Sequence, residues 1–103
     1  PLHAVIYRYA DAPTRLDDHR PAHRDYLSSL FDQGRIVISG PLTDGAPGAL
    51  LIVQADDADD VAALLDKDPF WSLGLIAHRE IRSWRPFFGA NRLAPPAITA
   101  AVG

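Results

Sequence analysis

Alternating runs of residue types predict an α+β fold with the order βαββαβ. This is a ferredoxin-like arrangement, a four-stranded antiparallel sheet with two helices on one face. Three observations carry the prediction. Short runs rich in β-branched and aromatic residues alternate with two stretches of helical period. Gly, Pro or Asp bounds each run. Two strand–helix–strand units follow each other with no linker between them, and 103 residues suit one domain rather than two.

The first strand covers residues 3–9, where Val5, Tyr7 and Tyr9 share a face. Residues 10–18, with Pro13 and several Asp, read as a loop. Helical spacing then runs from about His19 to Gln33, with His23, Tyr26, Leu27, Leu30 and Phe31 on one stripe. On this reading Asp17 or Asp18 caps the helix, Pro21 lies in its first turn, and Gly34 ends it. A second strand covers 35–42, with Ile36 and Ile38 on one face and Val37 and Ser39 on the other. The turn from Thr43 to Gly48 joins it, as a hairpin, to a third strand over 49–55.

Asp56 or Asp57 caps the second helix, whose stripe is Val61, Leu64 and Leu65. That helix stops before Pro69, because a residue preceding proline is pushed out of the α region. A turn over 70–74 leads to a fourth strand over 75–85, and the Ala- and Pro-rich tail from Phe87 is assigned no regular structure. The third strand is apolar on both faces, with Leu50 and Ile52 on one and Leu51 and Val53 on the other. Two helices cover only one side of the sheet, so either a second copy or the tail must cover the rest. A homodimer through the sheet faces is the favoured solution.

Composition narrows the function classes. The net charge is −3 and Lys67 is the only lysine, so there is no basic surface for nucleic acid. Arg79, Arg82 and Arg85 read as one strand with a charged face. Cysteine is absent, which excludes disulfides, thiolate metal sites and cysteine nucleophiles. No apolar run is long enough to span a bilayer as a helix. The chain opens into a strand pattern, so no signal peptide is expected. Pro1 suggests removal of an initiator Met, and the cytoplasm is the expected location.

His23 sits on the apolar stripe of the first helix and so faces the sheet or a cleft. A hydrogen-bonded, partly buried structural histidine would look the same from position alone. Asp68 precedes a proline and has a local explanation as a helix cap. Both helices lie on the same sheet face, however, so Asp68 could also meet His23 and fix its tautomer. Ser39, Gly40 and Pro41 end the second strand, where a hydroxyl and a close backbone approach could serve a ligand. His19 and His23 have the spacing of two metal ligands, but Pro21 lies between them and no third ligand is placed, so no metal is expected. Tyr7, Tyr9, Trp71 and Trp84 read as core or interface residues, one or two of which could line a pocket. Arg8 and Arg20 could pair with an anionic substrate.

Arg20, Pro21, Ala22 and His23, followed by Tyr26 and Leu27, then Gly34, then Gly40, Pro41 and Leu42, then Asp68, Pro69 and Phe70 with Gly74 beyond, resemble the pattern of the YciI-like (YCII-related) family. The match runs from about residue 3 to residue 86, and the tail after Phe88 extends past the family's usual end. The resemblance implies one YCII-related domain over residues 1–103, with a core of about 3–86 and an extension of 87–103. It implies a dimeric α+β barrel and a catalytic dyad at His23 and Asp68. Arg20, Ser39, Gly40, Pro41, Tyr7 and Phe70 are the expected substrate-binding residues, with no metal and no cofactor. Some members resemble enzymes that eliminate chloride from hydroxylated rings. The function expected is therefore a cofactor-free lyase or isomerase acting on a small molecule. A non-catalytic ligand- or partner-binding module is the alternative, and a cofactor-free oxygenase of the related barrel type is a third.

Overall fold

The computed structural model describes residues 1–93. Strands β1 (Leu2–Tyr9), β2 (Ile36–Pro41), β3 (Gly48–Gln54) and β4 (Ile76–Trp84) form one antiparallel sheet in the order β2-β3-β1-β4. Helix α1 (Pro13–Asp32) connects β1 to β2, and α2 (Ala58–Leu65) with the four-residue α3 (Pro69–Ser72) connects β3 to β4. The order is the ferredoxin-like βαββαβ, with α3 added before the last strand.

Strand alternation decides which side chains meet the helices. Val5 and Tyr7 of β1 and Leu51 and Val53 of β3 are buried in one cluster with Leu30, Val61 and Phe70 from the three helices. Each such aliphatic or Phe side chain stabilises the fold by roughly 1.5–3 kcal/mol. Among the described residues no α-helix covers the other sheet face. On it Ile6, Leu50 and Trp84 are 39–40% exposed and Ile38 is 53% exposed.

Several expectations are corrected. Helix α1 begins at Pro13 rather than near His19. Pro13 suits a first turn, and buried Leu16 lies seven residues before His23, so the apolar stripe starts earlier than the Asp-rich stretch suggested. Ala12 is the N-cap and makes no side-chain bond, so Asp17 and Asp18 lie inside the helix, where Asp17 pairs with Arg20. Pro21 is then an interior residue, and the helix forgoes its hydrogen bond to the Asp17 carbonyl. Phe31 is 58% exposed and lies off the stripe.

Ile36 and Ile38 occupy opposite faces of β2. Ile36 pairs with Val53, whereas Ile38 pairs with its neighbour Ile52, because a bulge lies between the two β2 residues. Arg79 and Arg82 are likewise on opposite faces, three residues apart in a strand, opposite Tyr7 and Ala4. The expected turn at 70–74 is a short helix followed by Gly74. Among the described residues the tail contains one 3-10 turn, Ala90–Leu93. Residues 94–103 of the tail fall outside the described residues.

Helices α1 and α3 end alike. Gly34 and Gly74 have φ of +77° and +72°, and each is followed by a residue whose N–H bonds back to the helix, Arg35 to Leu30 and Leu75 to Phe70, both at 2.8 Å. Of the two candidate caps for α2, Asp57 serves, accepting from the Asp60 N–H at 2.9 Å. The Tyr26 hydroxyl donates to the Leu64 carbonyl at 2.6 Å, and Arg15 Nη2 donates to the Leu73 carbonyl at 3.2 Å. These bonds fasten α1 to α2 and to the end of α3, which sets the distance from His23 to Asp68.

Candidate active site

The Asp68–Pro69 pair fixes the first half of the site through local chemistry. Pro69 holds Asp68 in the extended region (φ −67°, ψ 128°), and the Asp68 side chain caps α3 by accepting from the Phe70 N–H at 2.9 Å. Asp68 is fully buried, with 0% exposure, and a carboxylate there must be hydrogen-bonded to be tolerated. Helix α1 supplies the second donor. His23 Nδ1 lies 2.7 Å from Asp68 Oδ2 and 2.9 Å from Oδ1. A carboxylate only accepts, so Nδ1 carries a proton, and in the neutral ring Nε2 holds the lone pair.

The imidazole is held on one face as well. Its ring lies flat on the Phe70 ring at 3.9 Å with 6° between the planes. Tyr9 in turn packs its edge against Phe70, at 5.6 Å and 83°. The tripeptide Asp68, Pro69 and Phe70 therefore sets both the hydrogen bond and the stacking of His23.

His23 borders a cleft of about 270 Å³. Tyr7, Ala49 and Leu51 from the sheet line its interior, Arg20 and Arg24 flank His23 on α1, and Ser39, Gly40 and Pro41 line it from β2. Ser39 reaches this side because the β2 bulge shifts the register so that it pairs with Leu51. A benzene ring occupies a cavity of roughly 150 Å³, so this cleft has room for one substituted ring. A larger hollow of about 510 Å³ lies over Arg35, Gln54 and Lys67, but no histidine lines it.

Of the residues singled out in the sequence, Tyr7, Arg20, His23, Ser39, Gly40 and Pro41 line the cleft. Asp68 and Phe70 do not. They lie behind His23, fully buried, and act on it rather than on the cleft. Arg8 pairs with His78 in the β1–β4 ladder, on the face away from the helices. Among the described residues no three His, Asp or Glu side chains are grouped to hold a metal. Arg24 was not anticipated. Its signal was present, since Arg20, His23, Arg24 and Leu27 follow helical spacing and all line the cleft.

Both tyrosines that line the cleft have shifted acidities. Burial pushes the Tyr7 phenol well above its usual range, the Asp68 charge adds to this, and Arg79 opposes it. The Tyr7 hydroxyl is 1% exposed as a residue and has no hydrogen bond of acceptable geometry. Arg79, its cross-strand partner, lies beside the hydroxyl and also has other contacts. Its guanidinium lies 3.7 Å over the Trp71 ring, and Nη1 is 2.8 Å from Asp66 Oδ1, an ion pair whose angles fall outside those of a hydrogen bond. The Tyr9 phenol is also raised, first by burial and then by Asp68, with Arg20 and Arg24 both opposing.

Comparison with known proteins agrees with this architecture. Protein YciI of Escherichia coli O6:H1 and Protein YciI of Shigella flexneri are each 27% identical to the chain over 95 residues, covering 82% of it and 97% of theirs. A solved 5-chloro-2-hydroxyhydroquinone dehydrochlorinase from Burkholderia phenoliruptrix AC1100, in complex with 2,5-dihydroxybenzoquinone, superposes with a TM-score of 0.73 at 26% identity. That match covers 84% of this chain and 96% of the dehydrochlorinase. The family model of the YCII-related domain matches residues 2–85, and the chain belongs to the YCII-related family.

Proposed function

We propose that this protein is a cofactor-free enzyme that moves a proton on a small hydroxylated ring, in a lyase- or isomerase-type reaction. One observation carries the reading. A histidine at the edge of a ring-sized cleft is backed by a fully buried carboxylate 2.7 Å from its Nδ1. Nε2 accepts the proton of a phenolic or enolic hydroxyl, and the electron pair left on oxygen forms a carbonyl. In an elimination the proton is returned to the ring carbon that bears the halogen, a second hydroxyl then loses its proton, and its electron pair forms the other carbonyl as the carbon–halogen bond breaks and halide departs, leaving a quinone. In an isomerisation His23 returns the proton at a different atom. Asp68 stabilises the imidazolium in between, and stacking on Phe70 keeps the ring from rotating. The dehydrochlorinase neighbour supports the elimination form.

The same reading includes a homodimer. Ile6, Ile38, Leu50 and Trp84 form an apolar surface on the uncovered sheet face, and two copies packed sheet to sheet would remove it from water. Glu80 and Arg82, paired at 3.1 Å, form a polar border on β4. Sedimentation should give twice the chain mass for the wild type and the monomer for Leu50→Glu.

The catalytic test is chloride release and quinone absorbance with chlorinated hydroxyhydroquinones as substrates. His23→Ala should lower turnover by about 10²- to 10⁴-fold with an unchanged fold by circular dichroism. Full activity in His23→Ala would remove His23 from the mechanism.

A further inference from the structure

The walls of the cleft carry information about the charge of its occupant. The protein is acidic overall, yet Arg20 and Arg24 stand four residues apart on α1 and both line the cleft. Like charges at this spacing repel on a helix, and an anion bound in the cleft would relieve that repulsion. The chain itself supplies only part of that relief. Asp17 pairs with Arg20 and engages one of its five N–H donors. Arg24 has no ion-pair partner among the described residues, and residues 94–103 contain no Asp or Glu. The nearby buried carboxylate is not available, since Asp68 is taken up by His23 and the Phe70 N–H. Both guanidinium groups act on Tyr9, opposing the upward shift of its phenol, so their field converges on the cleft.

We propose that the substrate is a single-ring anion, a carboxylate, phenolate or enolate, whose charge lies against Arg20 and Arg24. This rests on the reading of the cleft as a substrate site, and it adds the charge of the molecule bound there. Arg24 is assigned the specificity-determining role, with Arg20 in support.

Binding separates this proposal from the catalytic one. The probes are 2,5-dihydroxybenzoate and its uncharged methyl ester, titrated by calorimetry and by amide chemical shifts at neutral pH. The acid should bind about tenfold or more tightly than the ester, the ratio expected of a charge-assisted contact. Arg24→Gln should bring the ratio close to one through loss of acid affinity, with the ester unaffected. His23→Ala should keep the wild-type preference. Equal affinity of the two probes in the wild type overturns the proposal. So does a preference that survives in the Arg20→Gln/Arg24→Gln double variant. Equal affinities together with turnover that still depends on His23 would leave the acid–base reading standing and remove only the anionic substrate class.

Discussion

Asp68→Asn changes one atom and tests whether the buried carboxylate sets the chemistry of His23. Oδ1 of Asp68 accepts from the Phe70 N–H at 2.9 Å and also lies 2.9 Å from His23 Nδ1, while Oδ2 lies 2.7 Å from Nδ1. An amide has one accepting oxygen and one donating NH2, so it cannot replace both carboxylate oxygens. If the amide oxygen takes the place of Oδ1, the cap on α3 survives and the NH2 faces a donor at 2.7 Å. The imidazole then relieves the clash by moving its proton to Nε2, the atom that faces the cleft in the proposed mechanism. If the amide flips, the cap is lost at about 1 kcal/mol, and a buried N–H is left unpaired at roughly 1–3 kcal/mol more. The first arrangement costs less. The variant should therefore lose about 10²- to 10⁴-fold in turnover with a stability change near 1 kcal/mol. Long-range 15N–1H correlation spectra of the His23 ring identify the tautomer, and urea titration gives the stability. A variant that retains the Nδ1–H tautomer and the wild-type rate would refute the reasoning, and Asp68 would then be a helix cap only.

Three further outcomes follow from neighbouring residues. Tyr7→Phe removes a buried hydroxyl that makes no well-aligned hydrogen bond among the described residues, so thermal unfolding should show equal or greater stability, by up to about 1–3 kcal/mol. The contribution of Tyr7 to stability should be flat below about pH 10 and decline above it, because the unfolded chain ionises Tyr7 first and the native state retains the proton. Denaturant titrations between pH 9 and 11 should show a slope approaching ~1.4 kcal/mol per pH unit from this residue, and a shallower one in Tyr7→Phe. Phe70→Leu keeps apolar bulk but removes the flat support under His23, so it should cost about 1–2 kcal/mol and lower kcat more than it raises KM.

The strands and helices were legible because their side-chain periods are strong and their boundaries carry Gly, Pro or Asp. The errors have specific causes. The start of α1 was hidden by Asp17 and Asp18, which look like caps but lie inside a helix that Pro13 begins and Leu16 anchors. The β2 bulge could not be seen, because Ile36 and Ile38 fit unbroken alternation and only pairing with β3 reveals the extra residue. Phe70 was placed on the substrate side because sequence order does not say which face of a four-residue helix meets the cleft. Arg24 was overlooked because a charged residue beside a histidine reads as a solvated surface until the helix is set against the sheet.

Asp68 had two readings in the sequence, a cap for the turn after Pro69 or a partner for His23, and they were treated as competitors. The geometry removes the competition, because a carboxylate has two oxygens and here they serve both donors. The consequence is a coupling between local folding and the site. A helix of four residues has no stability of its own, so α3 depends on its cap, on the bond from Arg15 to Leu73 and on the packing of Phe70. If α3 opens, the Phe70 N–H loses its acceptor and His23 loses both its carboxylate and the ring beneath it in the same event. Hydrogen exchange at the Phe70 amide and exchange broadening of the His23 ring should therefore report one opening free energy. A ligand that binds against His23 should slow both by the same factor. Slowing at His23 without added protection at Phe70 would show that the histidine moves independently of α3, and that Asp68 does not join the two.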